Sequence, residues 1–275
     1  MSPQKISVII STYNEPRWLE KVLWGYEKQT FTDFEIIVAD DGSTEETISL
    51  LRKFQEKGNL KIIHQWHEDQ GYQKCAIVNK AIAGSKADYL IFTDGDCIPR
   101  KDFVEQHVKN AKQGFFLSGG AIRLPIELSE KINQQDIETG RAFNRDWLIE
   151  NGLPANFKST KLIRSSIFTQ IMNRITPANA SWNGGNSSGW RTDILAVNGY
   201  DERMEYGGQD RELGERLMNN GIKPKQLRYT AICIHLEHKR GYKNQKSIDK
   251  NKGIRRETKT FNTTWTNYGI IKAGQ

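Results

Sequence analysis

Along residues 5–121 short apolar runs alternate with longer amphipathic ones. The run Ile6-Ser-Val-Ile-Ile10 offers almost no polar face to water, which predicts a strand buried on both sides. Similar runs predict strands at Phe34–Ala39, Leu60–Gln65, Tyr89–Thr93 and Phe115–Ala121. Helical patterns lie between them. Pro16 opens a helix through about Lys28, and Ser43-Thr-Glu-Glu46 has capping-box spacing and opens another to about Lys57. Gln73–Ala83 and Asp102–Lys112 complete the set. Repeated β-α-β units with short connections predict an α/β fold: a doubly wound, mostly parallel central sheet flanked by helices. Such sheets bind ligands beyond the carboxyl ends of their strands.

The second half is less regular. Helix-like stretches at Glu138–Glu150 and Lys161–Asn173 precede Ser181–Gly189, whose Gly, Ser and Asn content predicts a loop. Asp210–Asn219 reads as an amphipathic helix stopped by Gly221, and Tyr229–His235 as a last strand. No internal repeat or interdomain linker interrupts the chain. The expected organisation is one domain over residues 1–240, with a ligand-binding half (1–121) and a catalytic half (122–240), followed by a basic C-terminal tail (241–275).

Composition narrows the class. The 275 residues, 37% hydrophobic, suffice for a real core. No apolar run approaches the roughly 18–20 residues of a membrane span, and the start carries no secretory hydrophobic region. Three scattered cysteines make neither a disulfide framework nor a metal cluster, so a reducing, cytoplasmic location is expected. The net charge is +7. Lys239 to Lys259 holds nine basic and two acidic residues, which matches the whole excess. Charge confined to one stretch argues against a nucleic-acid-binding face. It suits instead a solvated tail or one resting on anionic lipid, with Trp265 and Tyr268 at the interface.

The sharpest chemical signal is Asp94-Gly-Asp96 at the end of a central strand. Paired carboxylates there suit Mn²⁺ or Mg²⁺, which can also bind diphosphate oxygens. Two further strand ends, Ser11-Thr-Tyr-Asn-Glu15 and Asp40-Asp-Gly-Ser43, bring polar groups to the same crevice. Thr12, Tyr13, Glu15 and Asp40 or Asp41 can partner a base and ribose, whereas Gly42 and Ser43 read as turn and cap.

The segments ISVIISTYNE, IIVADDGSTEE and YLIFTDGDCIP, in that order, resemble family 2 glycosyltransferases of the GT-A fold. The resemblance implies that Asp96 ligates the metal bridging a nucleotide-sugar diphosphate. It also implies that Glu15, Asp40 and Asp41 bind uracil and ribose, with Asp94 and Gly95 beside the nucleotide. Many members carry Ala-Arg-Asn on the third helix. Here Asn79 remains, Val78 replaces the arginine, and Lys74 can face the phosphates as a point charge.

Asn183-Gly-Gly-Asn186, Val197-Asn-Gly-Tyr-Asp201 and Tyr206-Gly-Gly-Gln-Asp210 resemble the C-terminal region of β-1,4-galactosyltransferase-type and bacterial chondroitin-polymerase-like enzymes. By that resemblance Asp210 is the catalytic base, Gln209 a hydrogen-bonding partner of the acceptor sugar and Tyr206 its stacking platform. His238, and His235 three residues earlier, map onto metal-ligand positions. Trp182, Asn183, Gly184 and Gly185 are expected to line the donor–acceptor junction, in a loop that orders when donor binds.

The expected activity is therefore metal-dependent, inverting transfer of a hexose or N-acetylhexosamine from a UDP-sugar to a saccharide or lipid-linked saccharide, in surface polysaccharide synthesis. A non-catalytic sugar-binding module would explain the crevice but not the joint presence of Asp94, Asp96, Asp210 and His238. A sugar nucleotidyltransferase would need a Gly-rich, Arg-containing loop where Ser11-Thr-Tyr-Asn14 stands.

Overall fold

A computed structural model describes residues 2–176, 179–238 and 244–272. Lys239, Arg240 and Lys243 of the basic stretch lie outside the described residues. The strands are β1 (Ile6–Thr12), β2 (Glu35–Asp40), β3 (Ile62–Trp66), β4 (Tyr89–Asp94), β5 (Cys97–Pro99), β6 (Phe115–Arg123), β7 (Ser187–Trp190) and β8 (Lys223–His235). The helices of the first half are α1 (Pro16–Glu27), α2 (Glu45–Lys57), α3 (Lys74–Gly84) and α4 (Phe103–Asn110). Those of the second are α5 (Ile126–Lys131), α6 (Gln134–Glu138), α7 (Arg145–Glu150), α8 (Ser166–Ile175), α9 (Arg191–Ala196), α10 (Gln209–Asn219) and α11 (Gln245–Thr260).

One sheet has the order β3-β2-β1-β4-β7-β6-β8-β5. The strands β3, β2, β1 and β4 are parallel; β7 runs antiparallel to both β4 and β6, and β5 antiparallel to β8. The apolar runs follow from double coverage. Val8 and Ile10 pack on one face with Ile36, Val38, Tyr89 and Ile91. Ile9 packs on the other with Ile37, Leu90 and Phe92, against α3, α9 and α10. Successive side chains point to opposite faces, so only an uninterrupted apolar run serves both cores.

The structure departs from the pattern in the second half. The expected loop Ser181–Gly189 contains β7, in the middle of the sheet, with Ser187 and Ser188 fully buried. Small polar residues read as loop because burial normally penalises them; here each hydroxyl has a partner. Asn183 N–H donates to Ser187 Oγ at 2.8 Å, and Ser188 Oγ lies 2.8 Å from Tyr89 Oη and 2.7 Å from His107 Nδ1. Ser187 and Ser188 are therefore fixed in the sheet, and only residues 181–186 of the expected loop remain outside regular structure. The expected helix Glu138–Glu150 is broken into α6, a 3-10 turn at Arg141–Phe143, and α7. That over Lys161–Asn173 becomes a 3-10 turn at Phe157–Leu162 followed by α8.

The basic tail is not a loose appendage. Helix α11 packs on α10, burying Ile254, Asn251 and Thr258. Beyond it, Asn198 Nδ2 donates to Thr266 O at 2.7 Å and to Ile271 O at 2.9 Å, and Ile271 N–H returns to Asn198 Oδ1 at 2.8 Å. Arg203 lies over the Tyr268 ring, 3.8 Å from its centroid.

Candidate active site

The crevice lies beyond the carboxyl ends of β1, β2 and β4. Asp94 ends β4 beside Ser11 of β1 in register, and Ser11 Oγ donates to Asp94 Oδ1 at 2.8 Å. Lys74, at the start of α3, donates to the same oxygen at 2.6 Å. Burial alone would lower the Lys74 ammonium; Asp94 and Asp210 outweigh it and hold it well above its usual range.

Asp210 sits in the first turn of α10, where the helix N-terminus favours a carboxylate. Tyr200 Oη donates to its Oδ1 at 3.3 Å, and the Gly184 amide also supports it. Burial pushes the carboxyl up, Lys74 pulls it down and Asp94 pushes it up again; the net direction is up. A methyl group on Gly184 would lie 2.5 Å from Asp210 Oδ1, and one on Gly185 would lie 3.0 Å from Asp94 Oδ2. The Gly-Gly pair therefore lets two carboxylates approach one stretch of backbone.

Asp96 meets His235, the last residue of β8, and His238 just beyond it. His238 Nε2 lies 2.9 Å and His235 Nε2 3.5 Å from Asp96 Oδ2. Burial alone would raise the Asp96 carboxyl, but the hydrogen bond to His238 and the charge of His235 outweigh it and hold it at about 2. Glu15 lies behind this cluster, 3.8 Å from His238 Nδ1, and burial pushes its carboxyl up. Ligand atoms of Asp96, Cys97 and His235 lie within 4.8 Å of one another, and Cys97 Sγ donates to Asp96 Oδ1 at 3.2 Å. An ionised carboxylate flanked by two imidazoles fits a divalent transition metal.

The other expected residues stand around the same strand ends and loops, most of them with partners of their own. Asp40 is fully buried; its Oδ1 accepts from Ser43 N–H at 2.8 Å and its Oδ2 lies 2.9 Å from His64 Nε2. Asp41 is held by His67 Nε2 at 2.8 Å and by Gln73 N–H at 2.9 Å. Tyr13 Oη donates to Asp69 at 2.8 Å, and its ring is exposed. The buried Thr12 hydroxyl finds no partner among the described residues, and a methyl group on Gly95 would lie 3.0 Å from it. Asn183 is exposed and its Oδ1 accepts from Gly185 N–H at 3.2 Å. Tyr206 is half-buried, edge-on to Tyr72 with centroids 6.3 Å apart.

Two residues differ from expectation. Trp182 is 1% exposed, its ring packed against Phe92 and Phe116 and its Nε1–H donated to Tyr200 Oη at 2.9 Å. A ring enclosed in the core cannot stack on a sugar; it positions Tyr200, which holds Asp210. Gln209 is buried, accepting from Gly207 N–H at 2.9 Å in the local turn and donating to the distant Tyr72 Oη at 3.3 Å, so part of its amide is engaged within the protein. His64, His67, Ser11 and Tyr200 escaped the sequence reading. The signal for the two histidines was their spacing at the end of β3, beside the strand that carries Asp40 and Asp41.

An open α/β sheet with Asp40 and Asp94 at the ends of β2 and β4, on either side of β1, and Asp210 across the crevice has the architecture of a GT-A glycosyltransferase. The sequence comparisons make the family explicit. Residues 7–172 match the model of glycosyl transferase family 2, and residues 171–239 that of the N-terminal domain of galactosyltransferase. The chain belongs to glycosyl transferase family 2. It is 29% identical to chondroitin synthase of Escherichia coli over 256 residues, 84% of this chain and 34% of that protein. It thus spans about a third of that relative, and 23% of the chondroitin synthase of Pasteurella multocida. The fold is similar to the mannosyltransferase PcManGT from Pyrobaculum calidifontis in complex with GDP-Man and Mn²⁺, with a TM-score of 0.59 and 19% identity over 88% of this chain and 59% of that one. It is also similar to S. aureus TarS 1–349 in complex with UDP-GlcNAc, with a TM-score of 0.58 and 18% identity over 87% of this chain and 60% of that one.

Proposed function

We propose that this glycosyltransferase moves a hexose or N-acetylhexosamine from a UDP-sugar to a saccharide hydroxyl, with inversion, using Mn²⁺ or Mg²⁺. One observation carries the reading: Asp210, Lys74 and Asp94 converge on the Gly184-Gly185 backbone, with the Asp96 cluster beside them. A raised carboxylate is suited to taking a proton near neutral pH. Asp210 accepts the proton of the acceptor hydroxyl as its oxygen attacks the anomeric carbon from the face opposite the leaving diphosphate. Lys74 offers a fixed positive charge to the diphosphate, exchanging part of its pairing with Asp94. Thr12, Tyr13 and Asp41 partner the base and ribose. Asp96, His238 and His235 would hold the metal, which when bound neutralises charge on the leaving group. Nitrogen ligands favour Mn²⁺ over Mg²⁺. Tyr206 and Asn183 contact the acceptor.

TarS in complex with UDP-GlcNAc supports a UDP-sugar donor, and the chondroitin synthases support a polysaccharide product. We place the reaction in the cytoplasm, at a membrane where lipid-linked acceptors are found. No helix among the described residues is long and apolar enough to cross one. The exposed Lys246, Lys250 and Arg256 of the 239–259 stretch are available to an anionic surface.

The test is a screen of nucleotide sugars for nucleotide release, with Mn²⁺, Mg²⁺ or EDTA. Metal-dependent UDP release from one sugar, abolished in Asp96→Ala, is the expected result. Release of GDP alone, or release indifferent to EDTA, overturns the donor or the metal respectively.

A further inference from the structure

The chain from Asn151 to Thr192 contains Lys158, Lys161, Arg164, Arg174 and Arg191 and not one Asp or Glu. Within it, α8 has an unusual arrangement. Phe168 and Met172 turn inward, Phe168 edge-on to Tyr229 at 6.0 Å, and Asn173 donates to Thr230 Oγ1 at 2.6 Å and accepts from Tyr229 N–H at 2.8 Å. The polar Ser166, Thr169 and Gln170 line a groove between the helix, β8 and α4. Beside the exposed Ser166, Gln170 and Arg174, three isoleucines are turned to solvent: Ile167 is 70%, Ile171 50% and Ile175 61% exposed. Spaced four apart, they form one apolar ridge about 12 Å long. Phe157, on the preceding turn, is 61% exposed. Lys158, Arg164 and Arg174 are exposed on the same segment, whereas Lys161 is drawn inward to donate to Ala121 O at 2.9 Å.

A helix that holds Phe168 and Met172 inward and still carries an exposed isoleucine ridge beside polar positions, within a stretch that has only positive charge, matches an interfacial membrane helix. We infer that α8 and the turn before it lie on an anionic lipid surface. Phe157 and the three isoleucines would enter the acyl boundary, and Lys158, Arg164 and Arg174 would meet the headgroups. Charge complementarity selects this occupant. A second copy facing the same ridge would set like charges against each other, and a purely phosphate-bearing polymer would leave the isoleucines in water. The inference stands apart from the donor sugar and from the basic helix α11, whose Gln245–Thr260 span exposes no large hydrophobic residue.

The test uses the full chain in flotation with vesicles of equal parts phosphatidylglycerol and phosphatidylcholine, and with phosphatidylcholine alone. Binding to the anionic vesicles is expected, weakened by salt. Ile167→Ser/Ile171→Ser/Ile175→Ser should lower the bound fraction at least about tenfold while circular dichroism and nucleotide release stay unchanged, because the ridge supports neither core nor crevice. Lys158→Glu/Arg164→Glu/Arg174→Glu should do the same. Lys246→Glu/Lys250→Glu/Arg256→Glu should leave most of the binding. In Ile171→Trp, anionic vesicles should shift the added emission to the blue relative to the same comparison in the parent chain. Unchanged flotation of the isoleucine variant overturns the inference. So does loss only in the α11 variant, equal binding to phosphatidylcholine alone, or a dimer in solution that the isoleucine variant dissolves.

Discussion

In the proposed reaction Asp210 is the base. Asp210→Asn keeps the shape and removes the base, so turnover should fall roughly 10²–10⁴-fold while calorimetric UDP affinity is retained. Its carboxyl stands above the ordinary range, so activity is present above that raised pKa and lost as pH falls through it. The acid limb of kcat/KM should lie above that of a free carboxylate. Gly184→Ala should mimic Asp210→Asn in rate, because its methyl would occupy the carboxylate's place.

His107 is a second residue with a readable pH signature. It is buried, with Nε2 3.0 Å from Asn186 Oδ1 and Nδ1 2.7 Å from Ser188 Oγ. Asn186 Nδ2 already donates to Gly120 O, so Nε2 must carry the proton and Nδ1 must accept from Ser188. Burial lowers this imidazole to about 4. The stability it contributes is complete above the unfolded value near 6.5 and is lost as pH falls toward 4, about 3 kcal/mol in all. Urea midpoints measured down this range should fall in the parent chain and stay flatter in His107→Gln. An equal slope in both would refute the assignment.

Among the elements, α10 carries Asp210, the proposed base, and α11 packs on α10. Arg216 is fully buried: its Nε and Nη2 donate to Glu212 at 2.7 Å, Nη2 also to Gly199 O at 2.7 Å, and Nη1 to Val197 O. Thr258 of α11 donates to the same Glu212 at 3.0 Å. Removing one partner leaves a buried charge without compensation. Arg216→Ala should therefore cost about 3–5 kcal/mol, read as a shifted denaturation midpoint. A chain ending at residue 243 would uncover the apolar α10 face that Ile254 covers and release the Asn198 side chain from its three bonds to 266–271. It should lose cooperative unfolding, and one that melted like the parent would show the C-terminal segment to be dispensable.

At the scale of the whole molecule, the sheet brings together groups from both ends of the sequence. Asp96 meets His238 across 142 residues and Lys74 meets Asp210 through the field around Asp94. A ligand bound by the assembled site alone should stabilise the whole chain. UDP with Mn²⁺ at a hundred times its Kd should add about 2.7 kcal/mol, and Asp96→Ala should erase the metal-dependent part of that shift.

The strands β1, β2 and β4, their helices and the acids at their ends were legible because each rests on local pattern: an apolar run, a cap, a turn. Asp210 and the histidines were legible only through resemblance, since a carboxylate at a helix start is otherwise an ordinary electrostatic preference. The tertiary structure alone decided that Ser187-Ser188 forms a central strand, because hydroxyls are tolerated in a core only where distant partners such as His107 and Tyr89 arrive. It alone turned Trp182 from a wall of the site into a support for Tyr200, and drew the C-terminal basic stretch into a helix on α10. Hydrophobic period and turn chemistry are written within a few residues of one another. The satisfaction of a buried polar group depends on residues about a hundred positions away, and only the folded chain brings them within bonding distance.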